Sequence, residues 1–276
     1  MKILFIGDIV GQPGRACVSR QLPALRERYR PDVVIANAEN AAAGLGVTPA
    51  LIKELHKAGI DGFTLGNHTW RRPELIKGIS DLTRVVRPAN FPENNPGQGS
   101  MVLTLGDGRK IGILNLVGRV FMEPARCPFM VADSELESLR SETPVVLIDF
   151  HAEATAEKIA LGWHVDGRCS AVIGTHTHVQ TSDGWIMPKG TAYLTDAGMS
   201  GPYYSVIGVH RERVIERFLT GMPTKFDVAG GPCVFSGAYL EVDDSTGKAL
   251  TIETILIRES PGANAEGDAA KAAEKR

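Results

Sequence analysis

Five short aliphatic runs, each followed by residues able to bind a metal, constrain the fold of this 276-residue chain most strongly. The runs lie at 3–6, 33–36, 63–65, 145–148 and 171–173. Short, continuous apolar runs separated by helical patterns are typical of parallel strands that are covered on both faces. The sequence therefore predicts an α/β fold in which helices flank the sheet.

Residues with nitrogen and oxygen donors follow each of these runs. In open α/β sheets, ligands bind beyond the carboxyl ends of the strands, so we expect these side chains to lie together. The residues concerned are Asp8, Glu39, Asn40, Asn67, His68, His151, His176 and His178. None of them is decisive alone, but their convergence at five strand ends predicts a metal site.

Two imidazoles stand two residues apart at His176 and His178, just past the run 171–173. We expect Gly174 to end that strand. In extended backbone the two rings would point the same way and could reach one side of a sheet edge. An isolated pair of this kind is as often a pair of surface histidines as a metal site. Here the donors at the other strand ends favour a pair that binds a metal.

Composition excludes several classes of function. A formal net charge of −2 gives no global attraction to nucleic acid or to an anionic membrane. The sequence shows no apolar leader and no apolar run long enough to cross a bilayer. Its four cysteines are scattered without a C-x-x-C pair, which indicates neither a disulfide framework nor a thiolate zinc site. Together these features predict a cytoplasmic protein with no membrane partner.

Two predicted hairpins change the expected architecture. Residues 101–118 and 239–257 each hold two aliphatic runs around a polar turn. Antiparallel strands added to a βα scaffold favour a two-sheet sandwich over a plain doubly wound sheet. Helices are expected at 14–29, from Thr48 to Gly59 and at 153–161.

Two segments stand apart from this scaffold. Residues 198–231 mix Gly, Pro and Tyr with a charged helix at 211–219, and we expect a lid, a subunit contact or a plain solvated helix there. Residues 259–276 lack an aliphatic pattern, which is typical of a disordered tail. The prediction is a single domain over residues 1–258.

The order of these motifs resembles that of the calcineurin-like metallophosphoesterases. The motifs are Gly7-Asp8, Glu39-Asn40, Gly66-Asn67-His68, His151 and Gly174-x-His176-x-His178. Residues 6–11, 38–42 and 196–201 are similar to the YmdB-type branch, small bacterial 2′,3′-cyclic-nucleotide phosphodiesterases. The resemblance covers the chain to about Arg258 and implies a four-layer α/β/β/α sandwich with a two-metal site.

Two positions depart from the wider superfamily and agree with the YmdB-type branch. Val10 stands where the first motif usually has a histidine, and Glu39 stands where the second usually has the bridging aspartate. Because Glu39 is one methylene longer, the amide oxygen of Asn40 could fill the ligand position that Val10 leaves.

The resemblance implies a ligand set for each metal. One metal would be held by Asp8, Glu39, Asn40 and His178, and the other by Glu39 as bridge, Asn67, His151 and His176. The two ions of such hydrolases lie about 3.5–4 Å apart, which requires an anionic bridge. His68 is expected to face the substrate and protonate the leaving ribose oxygen, the alternative being a role in supporting the ligands.

These donors suit iron, manganese or zinc, and the resemblance favours iron. The leading hypothesis is hydrolysis of a phosphodiester, most specifically a 2′,3′-cyclic nucleotide, by hydroxide held between the metals. The alternatives are a phosphomonoesterase acting on a nucleotide or phosphoprotein, and a metal-binding regulatory scaffold without turnover. We expect a small nucleotide or phosphodiester substrate and a homo-oligomer. Short arginine clusters at 26–30, 71–72 and 211–217 give weak support for RNA.

Overall fold

Two β-sheets packed face to face form the middle of the fold, and helices cover both outer faces. The computed structural model describes residues 1–260. The predicted α/β/β/α sandwich is confirmed, because helices pack on the outer face of each of the two sheets. In the described residues, no helix is both long and apolar enough to cross a membrane.

The elements follow one another along the whole described chain. The strands are β1 Lys2–Ile6, β2 Asp8–Ile9, β3 Val33–Asn37, β4 Gly62–Thr64, β5 Val85–Val86, β6 Ser100–Thr104, β7 Lys110–Val117, β8 Val146–His151, β9 Ala171–Thr175, β10 Trp185–Ile186, β11 Ala192–Leu194, β12 Met199–Pro202, β13 Cys233–Val242 and β14 Ala249–Arg258. The helices are α1 Gly11–Tyr29, α2 Pro49–Lys57, α3 Pro73–Gly78, α4 Pro128–Arg140, α5 Thr155–Val165 and α6 Arg211–Thr220. Short 3₁₀ turns lie at Thr69–Arg71 and Ile79–Asp81.

Parallel strands form the centre of each sheet. The first sheet has the order β2-β12-β13-β1-β3-β4-β5, with β14 also paired to β13, and the second has the order β10-β11-β9-β8-β7-β6. Strands β1, β3, β4 and β5 are parallel in the first sheet, and β7, β8, β9 and β11 in the second. The carboxyl ends of each parallel set therefore meet at one edge of its sheet.

The apolar run of β1 shows why these strands lack polar residues. Ile3 and Phe5 pack in the gap between the sheets, whereas Leu4 and Ile6 pack under the helices of the first sheet. All four side chains are fully buried. A strand covered on both faces needs an apolar residue at every position, as the sequence predicted.

Both predicted hairpins are confirmed, since β6 pairs antiparallel with β7 and β13 pairs antiparallel with β14. Helix α1 begins at Gly11, three residues before the predicted start, and α5 is shifted toward its carboxyl end. The Thr48 side chain accepts a hydrogen bond from the Leu51 N–H at 3.3 Å and caps α2 as predicted. Sequence reasoning missed α4, although its buried positions form a recognisable helical stripe.

Strand β14 ends at Arg258, and the next residue still contacts the fold. Glu259, which the prediction assigned to the tail, exchanges hydrogen bonds with Cys233. Its carboxylate also pairs with Arg20 at 2.6 Å. The ordered fold therefore includes Glu259, and the remainder of the predicted tail from 261 lies outside the described residues.

Candidate metal centre

The predicted donors come from both sheets and meet at one edge of the sandwich. The first sheet and its loops supply Asp8, Glu39, Asn40, Asn67 and His68, and the second supplies His151, His176 and His178. The side chains of Asp8, Glu39 and His151 are fully buried. Residues far apart in sequence thus form one buried, polar cluster between the strand ends.

One part of the cluster is centred on the ring of His151. Its Nε2 atom lies 3.0 Å from Glu39 Oε1, from Asn67 Oδ1 and from His176 Nδ1. A single ring nitrogen carries at most one proton, so it cannot satisfy these three neighbours by hydrogen bonding. Donors bound to one ion at about 2.1 Å lie roughly 3.0–3.4 Å from one another. Ligand atoms of Glu39, His151 and His176 all lie within 4.8 Å of one another. With Asn67 beside them, the spacing fits ligands of a common metal ion.

The other part of the cluster contains a buried oxygen without a partner. Asp8 Oδ1 is the single buried side-chain oxygen or nitrogen within residues 1–260 that lacks a hydrogen bond. Its neighbours include His178 Nε2 at 3.7 Å, which in turn lies 3.2 Å from Asn40 Nδ2. An unpaired buried carboxylate oxygen is costly, and a cation in front of it removes that cost.

Glu39 lies between the two parts of the cluster. Its Oε1 faces His151 Nε2, and its Oε2 accepts the backbone N–H of His68 at 2.8 Å. The close approach depends on Gly66, because a Cβ atom there would overlap the Glu39 carboxylate and the His151 ring. A glycine at this position therefore makes room for the donors.

The electrostatics of the cluster follow from burial and from the mutual charges of its members. Burial raises the pKa of Asp8. Burial also raises the pKa of Glu39, but the His151 and His68 rings outweigh it and hold that pKa well below its usual value. Burial lowers the pKa of His151, whereas the Glu39 carboxylate raises it, with a net value of about 9. Positive charge is therefore stabilised beside Glu39, which is what a metal ion would supply.

His68 lies at the rim of the cluster and not inside it. Its Nδ1 is 2.8 Å from Asn40 Oδ1 and 3.2 Å from Glu39 Oε1. The side chain is 22% exposed, and Nε2 has no hydrogen bond in the part of the chain that the structure describes. The ring is thus anchored on one side and open on the other.

Comparison with known proteins decides the family. Residues 4–255 match the family model described as YmdB-like protein. The chain belongs to the YmdB-like family. It is 50% identical over 259 residues to the 2′,3′-cyclic-nucleotide 2′-phosphodiesterase of Bacillus subtilis (strain 168), covering 94% of this chain and 98% of that relative. The resemblance predicted from the strand-end motifs is confirmed.

Solved structures of similar proteins share the fold over nearly their whole length. A hypothetical protein from Thermus thermophilus superimposes with a TM-score of 0.88 at 43% identity, covering 94% of this chain and 100% of that chain. A novel phosphatase from Mycoplasma pneumoniae superimposes with a TM-score of 0.89 at 36% identity, covering 96% of each chain. These likenesses confirm the layered architecture.

Each histidine within the cluster is oriented by an acceptor on its far side. His151 Nδ1 donates to Thr175 Oγ1 at 2.9 Å, and Thr175 Oγ1 donates to Asp149 Oδ1 at 2.7 Å. His178 Nδ1 donates to the Ile207 carbonyl oxygen at 2.9 Å. A proton held on Nδ1 leaves the Nε2 lone pair directed at the cluster, as metal ligation requires.

In His176 the roles of the two ring nitrogens are reversed. Its Nε2 lies 3.2 Å from Glu153 Oε2, and its Nδ1 faces His151. Sequence reasoning missed Glu153, Asp149, Thr175 and Ile207 as supports of the site. The one signal in the sequence was a charged residue, Asp149, inside an otherwise apolar strand.

The expected geometry of the His-x-His pair is wrong. Strand β9 continues past Gly174 to Thr175, and the backbone then turns, with φ of 98° at His176 and 66° at His178. The two rings consequently point to different parts of the cluster and not the same way. His176 faces His151, and His178 faces Asp8.

Proposed function

We propose that this protein is a dinuclear metal-dependent phosphodiesterase that hydrolyses 2′,3′-cyclic nucleotides. The observation that carries the proposal is the buried cluster of imidazole, carboxylate and carboxamide groups around Glu39, with Asp8 Oδ1 left unpaired. The identity of 50% to a 2′,3′-cyclic-nucleotide 2′-phosphodiesterase supports the choice of substrate.

Two ligand sets account for the two parts of the cluster. One ion would be held by Asp8, Glu39, Asn40 and His178, and the other by Glu39, Asn67, His151 and His176. The mixture of nitrogen and oxygen donors suits iron, manganese or zinc, of which we propose iron. Because the proposed ligands include only the carboxylates of Asp8 and Glu39, two divalent ions would leave net positive charge to attract a phosphodiester.

When bound, such a metal pair polarises the phosphoryl group and lowers the pKa of water. The protein contributes position and a proton. Asn40 Oδ1 holds Nδ1 of His68, so that the open Nε2 can donate a proton to the ribose O2′ as the P–O2′ bond breaks. Water supplies the hydroxyl group that joins phosphorus, and the product is a nucleoside 3′-monophosphate.

Phosphomonoester hydrolysis is the second candidate, because the similar protein from Mycoplasma pneumoniae is described as a phosphatase. A metal-binding scaffold without turnover is less well supported, since the donors and the outward-facing ring of His68 are all present. A homo-oligomer stays a prediction, and the exposed apolar residues of α6, such as Phe218 and Leu219, support it.

Metal analysis and a substrate panel test the proposal. We expect about two transition-metal ions per chain. We also expect kcat/KM to be highest on 2′,3′-cyclic nucleotides among cyclic nucleotides, linear diesters and phosphomonoesters. The Glu39→Ala variant should lose turnover, because the bridging acid cannot be removed without separating the cations. The matched variant Glu93→Ala, whose side chain is 78% exposed, should keep it.

Two outcomes would count against the proposal. One or no metal ion per chain, in protein protected from chelators, would exclude the dinuclear centre. A preference for phosphomonoesters would favour the second candidate. Circular dichroism shows whether Glu39→Ala is folded, and so distinguishes loss of the bridging ligand from loss of the fold.

A further inference from the structure

A cavity of about 230 Å³ opens beside His178, at the same edge of the sandwich as the metal centre. Its walls come from the loop after β9, from the segment 199–207 and from the ends of β13 and β14. They include His178, Met199, Tyr203, Ile207, Leu256 and Arg258. The walls are therefore largely apolar, with one aromatic ring and one cation.

The aromatic ring and the cation lie together. The guanidinium carbon of Arg258 is 4.8 Å from the centroid of the Tyr203 ring. Tyr203 is 41% exposed. Among residues 1–260, Arg258 forms no ion pair and its guanidinium donates no hydrogen bond to the protein. Aromatic rings and guanidinium planes both stack on nucleobases, and a free guanidinium also offers donors to base acceptors.

His178 connects the cavity to the metal centre. Its Nε2 faces Asp8 and Asn40 in the cluster, while its Nδ1 donates to the carbonyl of Ile207 in the cavity wall. The two sites are thus separated by the width of one imidazole ring. In a nucleotide, the base and the 2′,3′-phosphate are likewise joined through a single ribose ring.

We propose that this cavity binds the base of the nucleotide, with Tyr203 and Arg258 as specificity-determining residues. The inference rests on the proposed function. The cavity is smaller than the roughly 300–1,000 Å³ of pockets for drug-sized ligands, so it suits one base and not a dinucleotide. The segment 199–207, which contains β12 and the loop after it, then forms a wall of the substrate site.

Substrates with and without a base test the proposal. The probes are adenosine 2′,3′-cyclic phosphate and methyl riboside 2′,3′-cyclic phosphate, which lacks the base. Tyr203→Ala should raise KM for the adenosine compound about 5- to 100-fold with little change in kcat, because stacking on one ring is lost. The base-free compound should be hydrolysed by Tyr203→Ala as by the wild type, which also verifies that the variant is folded.

Phe218 on α6 provides the control. Its side chain is 84% exposed and does not line the cavity. Phe218→Ala should leave KM for both compounds unchanged. Arg258→Met should raise KM for the adenosine compound alone, because it removes the guanidinium but keeps an apolar stem.

The possible outcomes separate a failure of the proposed base site from a failure of the proposed phosphodiesterase activity. Equal wild-type KM for both compounds, or equal losses on both in Tyr203→Ala, would overturn the base site and leave the phosphodiesterase intact. Wild-type failure to hydrolyse either compound would count against the proposed function. In that case, calorimetry still tests the base site by comparing the binding of adenosine 3′-monophosphate with that of ribose 3-phosphate. The base site requires that the base-free ligand binds more weakly.

Discussion

His68 and Asn40 show how a single contact determines which atom of a side chain faces the substrate. The hydrogen bond between Asn40 Oδ1 and His68 Nδ1 anchors the ring, and its Nε2 is left free. The backbone N–H of His68 also binds Glu39 Oε2, so that the ring is carried by the proposed metal bridge. The proposed acid and the proposed metal ligands are therefore positioned as one unit.

We predict that His68→Ala keeps its metal but loses about 10²–10⁴-fold in rate on 2′,3′-cyclic nucleotides, because an alkoxide must then leave unprotonated. The loss should be much smaller on a diester with a nitrophenolate leaving group, which departs without a proton. Steady-state kinetics on both substrates and metal content measure this contrast. Equal losses with full metal occupancy would exclude the acid role.

Val10 illustrates how one position can mark a branch of a superfamily. Its side chain is 3% exposed and lies against the backbone of Gly201 and Gly208, where a Cβ on either glycine would crowd it. An apolar residue at this position packs the end of β2 against β12 and the segment that follows it. The departure from the wider motif thus has a packing role here, and beside it Asn40 presents its amide nitrogen, not its oxygen, to His178 Nε2 at 3.2 Å.

At the scale of the secondary-structure element, a buried ion pair stabilises the turn after β9. Lys158, from α5, donates to Asp196 Oδ2 at 2.7 Å and to the Thr175 carbonyl at 2.8 Å. Asp196 Oδ2 also accepts the N–H and the hydroxyl of Thr177, between the two histidines. These contacts hold a backbone in which His176 and His178 have positive φ, an uncommon conformation for residues other than glycine.

We predict that Lys158→Met and Asp196→Asn each lower the free energy of unfolding by about 3–5 kcal/mol, since each leaves a buried partner uncompensated. The double variant should lose less than the sum of the two. Urea unfolding of metal-free protein measures the three values. Lys225→Met, which breaks an ion pair whose lysine is 85% exposed, is the control and should have no measurable effect. Strict additivity would show that the pair does not act as a unit.

At the scale of the whole molecule, the candidate site joins the two sheets. Asn37 from the first sheet donates to Asp149 of the second at 2.9 Å, directly below the cluster. Above it, His151 from the second sheet faces Glu39 from the first. A metal ion bound here would be held by both sheets and would therefore stabilise their packing.

We predict that removing the metal lowers Tm and that restoring it raises Tm again. A ligand present at 100 times its Kd stabilises the folded state by about 2.7 kcal/mol. At roughly 2–4 °C for each kcal/mol, the expected shift is roughly 5–10 °C. Calorimetry with and without chelator measures it, and Glu39→Ala, which lacks the proposed bridge, should show little response. A shift of the same size in Glu39→Ala would place the stabilising metal elsewhere.

Much of this architecture could be predicted from the sequence alone. The continuous apolar runs, the hairpin turns and the donors just past the strands are local patterns, because burial on one or both faces determines residue type position by position. Asp8, Glu39 and His151 are placed at strand ends by such patterns. The family and the layered fold follow from the order of these motifs.

What the sequence could not determine are contacts between residues distant in the chain. The His176 N–H binds Asp8 Oδ2 at 3.1 Å across 168 positions, and the direction of each imidazole depends on such partners. Ile207 orients His178 through its carbonyl oxygen, an atom that every residue carries, so the sequence holds no signal for it. Only the packing of both sheets and the segment after β12 brings these atoms together, because hydrogen bonds depend on distance in space and not along the chain.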